Sequence, residues 1–341
     1  MHPHTPAFHG RPFVLEFAGH LPNVTAIIFS FAGFEAFSSH PSSFVAISRF
    51  LKIQSLSMLR CTVPSFGALR RTLASLPSLT NLQLSRVSWP GAAAELLPHL
   101  SDDASTVRRP ALSVLNIFSW DTDPSSRRHA QQLMAWLSET ATSSSLVDLR
   151  IRVHNATSGG RIGCMATFGP SLFRFGRILR KLDIRVGESR DPDLELFLCN
   201  LTSLEALHLR FEFVLQRSTW VQMEMLVHSL PRPAQLVKLG IIVDFEGPPE
   251  LSKFDGLEAL DVALRPELFK GLQALMLHVE YRKDPEEGPA LTGPMLAMIK
   301  SKLPELFARN IVEVSAYAFE PSDPPPVPDV KLRTEPNGAP S

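Results

Sequence analysis

One spacing of apolar residues recurs along the chain: an apolar residue, a second three positions later, and a third two positions after the second. The last two alternate with their neighbours, as a β-strand with one buried face requires, and the first closes the turn that leads into the strand. The pattern predicts a short strand in each copy. Nine copies begin at Val24, Ile53, Leu79, Leu112, Leu146, Leu179, Leu204, Leu236 and Leu272.

The segments between these copies have the periodicity of helices, with apolar residues three and four positions apart. Helices are predicted at 65–76, 125–141 and 218–230. Asp123-Pro124 and Asp191-Pro192 each place an Asp at the N-cap position and a Pro at the first helical position. We therefore expect a helix to begin at each of these two prolines.

Two segments have an alternative interpretation. LEALDV, at 257–262, imitates the strand spacing but begins fifteen residues before the copy at Leu272, which is too short for a complete unit, so we assign 255–265 to a helix. The stretch LPNVTAIIFSF, at 21–31, is similar to the opening of an F-box helix. Its β-branched residues Val24 and Thr25 and the pair Ile27-Ile28 favour a strand instead.

Strand, turn, helix and turn repeated along a chain predict parallel strands on one side and helices on the other. The expected fold class is α/β, a leucine-rich-repeat solenoid, or horseshoe, with a parallel concave sheet and convex helices. Successive copies are 25 to 36 residues apart, whereas such repeats usually span about 20–29 residues, so we expect irregular repeats. The predicted divisions are an N-terminal extension (1–20), the repeat domain (21–318) and a disordered proline-rich tail (319–341).

Three segments resemble fungal F-box and leucine-rich-repeat proteins, particularly those of basidiomycetes. They are VPSFGALRRTLASLPSLTNLQLSRVSWP (63–90), FDGLEALDVALRPELFKGLQALMLHVEY (254–281) and KLPELFARNIVEVSAY (302–317). The resemblance covers about residues 20–318, without a recognisable F-box. It implies a solenoid that recognises substrates for a ubiquitin ligase and that, in many relatives, follows the F-box that docks on a Skp-type adaptor.

The resemblance leaves two functional hypotheses open, both of which make the chain a scaffold for protein binding. In the first, the chain is the substrate-recognition module of an F-box protein of the ubiquitin-ligase type, whose F-box was lost or lies upstream of a truncated sequence. In the second, it is a stand-alone leucine-rich-repeat regulator, similar to a GTPase activator or an inhibitor. An L-P-x-E helical segment upstream of residue 1 would favour the first hypothesis.

The charge of the whole chain gives no reason to expect nucleic acid or an anionic membrane as a partner, because 34 basic residues balance 34 acidic ones. No secretion signal or transmembrane segment is recognisable in the sequence. Cys61, Cys164 and Cys199 are too few for a disulfide framework and lack a zinc-type spacing, so we expect them to be reduced and packed. The sequence predicts a cytoplasmic or nuclear monomer.

The motifs of catalysis are weak, and the sequence predicts neither an enzyme nor a cofactor or metal site. No G-x-S-x-G, H-E-x-x-H or phosphate-loop motif is present. GGRIGC, at 159–164, is interpreted as an insertion loop, and Cys164 has no His or acid tied to it. Asp121 and Asp123 could hold a metal ion as a D-x-D pair, but Asp123 is better explained as a helix cap.

The candidate binding residues lie on the predicted concave face, where the residues that flank the two buried positions of each strand point outward. Arg152, Arg185 and Arg210 end the outward triplets of three consecutive strands, so strands in register would align them in one basic row. The predicted partner-binding residues are Arg150, Arg152, Lys181, Arg185, His208 and Arg210. We expect them to bind an acidic or phosphorylated protein segment. Asp148 and Asp183 keep the alternative of a solvated mixed-charge surface open.

Overall fold

The computed structural model describes residues 17, 19–30, 41–90, 109–119, 124–153, 164–186, 192–212, 217–245, 251–282 and 292–319. The predicted extension and tail lie almost wholly outside these residues, as do Asp121, Asp123 and the glycines of 159–164. Phe319, which the sequence places in the tail, is the last residue of a strand.

The described residues form an α/β fold with a sheet of ten strands, which follow one another across the sheet in chain order. Every neighbouring pair is parallel. The strands are β1 Ala26–Ser30, β2 Ser55–Leu59, β3 Asn81–Ser85, β4 Val114–Ser119, β5 Asp148–Val153, β6 Lys181–Val186, β7 Ala206–Glu212, β8 Lys238–Phe245, β9 Ala274–Arg282 and β10 Val312–Phe319. The prediction of a parallel sheet is confirmed.

Helices lie between the strands along the chain. They are α1 Pro41–Ser48, α2 Phe66–Ser75, α3 Pro124–Leu137, α4 Cys164–Phe175, α5 Pro192–Leu198, α6 Arg217–His228, α7 Glu258–Ala263, α8 Thr292–Lys302 and α9 Pro304–Ala308. The three helices predicted by periodicity correspond to α2, α3 and α6. Helices α3 and α5 begin at the two predicted prolines, although the preceding Asp residues are outside the described part of the chain.

The two ambiguous segments have the predicted structures. Ala26–Ser30 is strand β1, paired along its length with β2, and not part of a helix. Glu258–Ala263 is helix α7, and the sheet passes directly from β8 to β9. The wider repeat pattern therefore decided both assignments correctly where a local motif would have misled.

The hydrophobic core is built by the repeated spacing. All three apolar residues of every copy from Ile53 to Leu277 are buried, and they pack with apolar residues of the helices in one continuous cluster. In the first copy, Val24, Ile27 and Phe29 are only partly buried, because β1 is the end strand of the sheet. Full burial of one such side chain contributes about 1.5–3 kcal/mol. The buried apolar residues of the repeated spacing therefore explain why the strands pair in the register that puts these residues on one face.

The strands lengthen along the chain, and the prediction of short strands is correct only for the first part. Strands β1 to β3 have 5 residues each, whereas β8 has 8 and β9 has 9. The apolar–polar alternation continues after the third apolar residue, and the added positions Phe211, Val243 and Val279 are buried. The longer strands add a fourth outward position to the sheet.

The cysteines only partly follow the expectation that they are packed. Cys61 is buried, and its Sγ lies 3.5 Å from the carbonyl oxygen of Phe29 and 3.4 Å from that of Leu59. Cys199 is exposed, because it follows the last residue of α5 and does not face the sheet. Both are free thiols, and the side chain of Cys164 lies outside the described residues.

Candidate functional site

The outward strand positions form a second face of the sheet, here called the polar face. One row of this face aligns Arg150, Asp183, His208, Gly240 and Met276 on successive strands. In the next row, Arg185 pairs with Arg210 as predicted. The pairing of β5 with β6 ends at Ile151 and Ile184, one position before Arg152 and Arg185.

Charge is distributed unevenly over the polar face. The outward positions of β1 to β4 contain no charged residue, whereas those of β5 to β9 contain most of the charged residues of the sheet. The uncharged positions are Ala26, Ile28, Ser30, Ser55, Ser57, Leu59, Asn81, Gln83, Ser85, Val114, Asn116 and Phe118. The polar face therefore has a neutral half and a charged half.

Arg210, which was predicted to bind a partner, lies on the polar face but is buried. It is 9% exposed, and its Nη1 lies 3.0 Å from both carboxylate oxygens of Asp244 and 3.0 Å from Oε2 of Glu280. Asp244 is on β8 and Glu280 is on β9, so the arginine on β7 crosses two strand spacings. These three residues, the Arg210 cluster, are held together by charge-assisted hydrogen bonds.

The Arg210 cluster contains two carboxyl groups for one guanidinium, and this excess shifts their pKa values in opposite directions. Burial, with the nearby charge of Glu280, raises the pKa of Asp244 to about 7, despite the attraction of Arg210. Burial also disfavours ionisation of Glu280, but the charge of Arg210 and the hydrogen bonds from Arg210 and Asp244 together outweigh it and lower the pKa of that carboxyl. Near neutral pH Asp244 is therefore partly protonated, and in its protonated form it donates a hydrogen bond to Glu280.

The raised pKa of Asp244 predicts that the chain loses stability with rising pH. Between the ordinary pKa of the carboxyl, 3.8, and its folded pKa of about 7, the folded state binds more protons than the unfolded state. The contribution of Asp244 is thus complete below pH 4 and disappears as the pH rises through 7. We expect the free energy of unfolding, measured by urea titration at pH 5 to 8, to fall more steeply for wild type than for Asp244→Asn. Parallel pH profiles would contradict this.

Two other predicted residues are also in ion pairs. Arg152 Nη2 lies 2.6 Å from Oδ2 of Asp183, and its guanidinium carbon lies 5.4 Å from the ring centre of Phe118. Arg150 binds Asp148 on its own strand through two hydrogen bonds of 3.2 Å. The predicted basic row is therefore neutralised to a greater extent than the sequence suggests.

Lys181 differs from these arginines because it is exposed and makes no ion pair with any described residue. Lys238, an outward residue of β8, has the same properties, although it was not among the predicted site residues. Arg185 is half-buried. The accessible positive charge of the polar face thus comes largely from lysines rather than from the arginine row.

His208 lies across the next strand. A Cβ atom added to Gly240 would be 2.5 Å from Cδ2 of His208, so the imidazole occupies the space that a side chain would need. Burial lowers the pKa of His208, in spite of the nearby charge of Asp183, and the ring is neutral at pH 7. Only a glycine at position 240 allows this packing.

Three buried polar atoms of the charged half have no hydrogen-bond partner within the described part of the chain. They are Asp183 Oδ1, His208 Nε2 and Arg210 Nε. The structure thus brings Asp183, His208 and Arg210 together with Arg150, Arg152 and Lys181, as the register predicts. The sequence interpretation missed Asp244, Glu280 and Lys238. The continued alternation after Leu209, Ile241 and Leu277 was the signal for the first two.

Within the described residues, no three His, Cys, Asp or Glu side chains are arranged to hold a metal ion. None of the helices in that part of the chain has the length and apolar character needed to cross a bilayer. No protein-family model matches the chain, and no curated protein matches it.

Proposed function

We propose that the chain is a protein-binding module, a leucine-rich-repeat solenoid whose polar face is concave and receives a partner protein. The parallel strands in chain order and the single apolar spacing support this fold. The absence of an asparagine ladder, with Val87, Gly187 and Asp244 at equivalent positions, is consistent with irregular repeats. The chain acts as a monomer in the cytoplasm or nucleus and performs no catalysis.

The observation that carries the proposal is the arrangement of charge on the polar face. Ion pairs hold Arg152 against Asp183 on β6 and Arg210 against Asp244 on β8. Lys181 and Lys238, on these same two strands, are exposed to solvent. The arginines that ion pairs already hold lose little conformational freedom when a ligand binds, which limits the entropy cost of their contacts. A surface of this kind suits an acidic or phosphorylated segment of a protein.

Substrate recognition for an F-box type of ubiquitin ligase is the more specific role that we propose for this module. The similarity of 63–90, 254–281 and 302–317 to fungal F-box and leucine-rich-repeat proteins supports it. A stand-alone regulator without a ligase link is the alternative. The chain has no recognisable F-box of its own, so the two roles are distinguished with the product of the whole gene. Purified Skp-type adaptor is added to its complex with the partner, because only the ligase role requires a ternary complex.

The test of the binding function is to block the polar face sterically. We expect Ser57→Trp or Ala206→Trp, which place an indole on the neutral and the charged half respectively, to weaken binding of the partner at least tenfold. Val262→Trp is the matched control, because Val262 is 50% exposed on helix α7.

The partner is first captured from a lysate of the source organism with the wild-type chain, then purified, and its Kd is measured by calorimetry for all variants. Circular dichroism checks that each variant is folded. An unchanged Kd for both polar-face variants would show that the partner binds elsewhere.

A further inference from the structure

We propose that Lys181 and Lys238, here called the lysine pair, form a subsite for one phosphoryl group on a side chain of the partner. This inference rests on the proposed binding function and specifies the chemistry of the polar face. The principal anion-binding groups are then these two lysines, and not the row of Arg152, Arg185 and Arg210.

The lysine pair is aligned by the strand register. Lys181 pairs with Ala206, and Ala206 pairs with Lys238, so the two lysines are separated by two strand spacings, about 9.6 Å. The residue between them has only a methyl side chain, and the next residue in the row, Ala274, is equally small. The long flexible side chains of both lysines can therefore converge on one group above Ala206.

Among the described residues, no carboxylate forms an ion pair with either member of the lysine pair, and Asp183, two residues after Lys181, is bound by Arg152. Asp148 is the register neighbour of Lys181, but its two carboxylate oxygens bind Arg150. Glu205 directly precedes Ala206, and its carboxylate binds Arg180. Two positive charges thus remain on adjacent parts of one face, and an anion from outside the chain would relieve their repulsion.

The arginines of the polar face are less suited to binding a phosphoryl group. An incoming anion would have to compete with Asp183 for Arg152, and with Asp244 and Glu280 for Arg210, which is buried. The lysines have no ion-pair partner among the described residues to give up when they bind, so their cost is limited to the ordering of two flexible side chains. A phosphoryl group matches them best, because it carries a charge of about −1.5 to −2 at neutral pH, whereas a carboxylate carries −1.

Titration of the full chain with N-acetyl phosphoserine amide tests the subsite. Binding is followed by the NMR shifts of the backbone amides of Lys181, Ala206 and Lys238. We expect saturable shifts at these residues, and affinity at least tenfold weaker in the double variant Lys181→Gln/Lys238→Gln. The double variant Lys270→Gln/Lys300→Gln loses the same charge from exposed positions outside the sheet and should bind like wild type.

Equal affinity in the two double variants would overturn the proposal, and so would the absence of shifts at the lysine pair. N-acetyl glutamate amide is the second probe. If it binds as tightly as the phosphoserine probe, the assignment of a phosphoryl group is wrong and a carboxylate is the ligand. These outcomes are independent of the steric test with Ser57→Trp, so failure of the subsite can be distinguished from failure of the binding function.

Discussion

Replacing Arg210 with Met is expected to lower the free energy of unfolding by about 3–5 kcal/mol, because it leaves the buried carboxyl group of Asp244 and the partly exposed one of Glu280 without their cation. Arg210 and Asp244 are 9% and 7% exposed, so water cannot compensate for the lost contacts. Methionine keeps much of the volume of the side chain, which limits the change to charge and hydrogen bonding. Urea unfolding followed by circular dichroism measures the loss.

Two variants separate the ion-pair effect from a general effect of the mutation. Arg180→Met breaks the pair of Arg180 with Glu205, whose side chains are 58% and 40% exposed, and should cost less than about 1 kcal/mol. Adding Asp244→Asn and Glu280→Gln to Arg210→Met removes the unpaired charges and should restore much of the stability. If the Arg180 and Arg210 variants lost equal stability, the cluster would not be the buried network inferred from its geometry.

Truncation of Trp220 to Ala is expected to destabilise the chain by about 3–5 kcal/mol as well, for a different reason. Trp220 is completely buried in helix α6, and its Nε1 donates a hydrogen bond of 3.0 Å to the carbonyl oxygen of Lys253. Its ring stacks on Phe254 at a centroid distance of 6.2 Å. The substitution leaves a cavity and an unpaired carbonyl oxygen where the segment after β8 packs on the helix.

The neighbouring residue supplies the control for Trp220. Val221 is 44% exposed on the same helix, so Val221→Ala changes helix composition without opening a cavity. Its effect on the melting temperature should be small, whereas Trp220→Ala should lower that temperature by several degrees. A small effect of Trp220→Ala would mean that Phe254 and its neighbours move to fill the space.

The apolar spacing was sufficient to predict the sheet because it specifies both the element and its buried face. Leu82 and Leu84 are separated by Gln83, so a strand is the only element that puts both leucines on one side. The spacing also excluded a strand at 257–262, because a complete unit could not fit before Leu272. Parallel order followed from the intervening helices, which return the chain to the same end of the sheet.

The site was predicted less completely than the sheet. The alternation of apolar and polar residues identifies the face of the sheet on which a residue lies, but not the residues of neighbouring strands that it contacts. Arg210 was correctly placed in register with Arg185, yet its environment depends on Asp244 and Glu280, which are 34 and 70 residues away in the chain. The assumption that each strand ends soon after its third apolar residue hid both carboxylates. Without them, a buried ion-pair network looked like an exposed basic row.

The unequal lengths of the strands also affect how the molecule opens. Five residue positions pair between β1, at one end of the described sheet, and β2, whereas eight pair between β9 and β10, at the other end. In a fold where each unit contacts mainly its neighbours, an end strand has one interface to break and an inner strand has two, so the end strand with fewer backbone hydrogen bonds separates first. We therefore expect thermal fluctuations to open the sheet first at β1, while strands β7 to β9, which carry the Arg210 cluster, stay paired. The neutral half of the polar face is thus the more adaptable half.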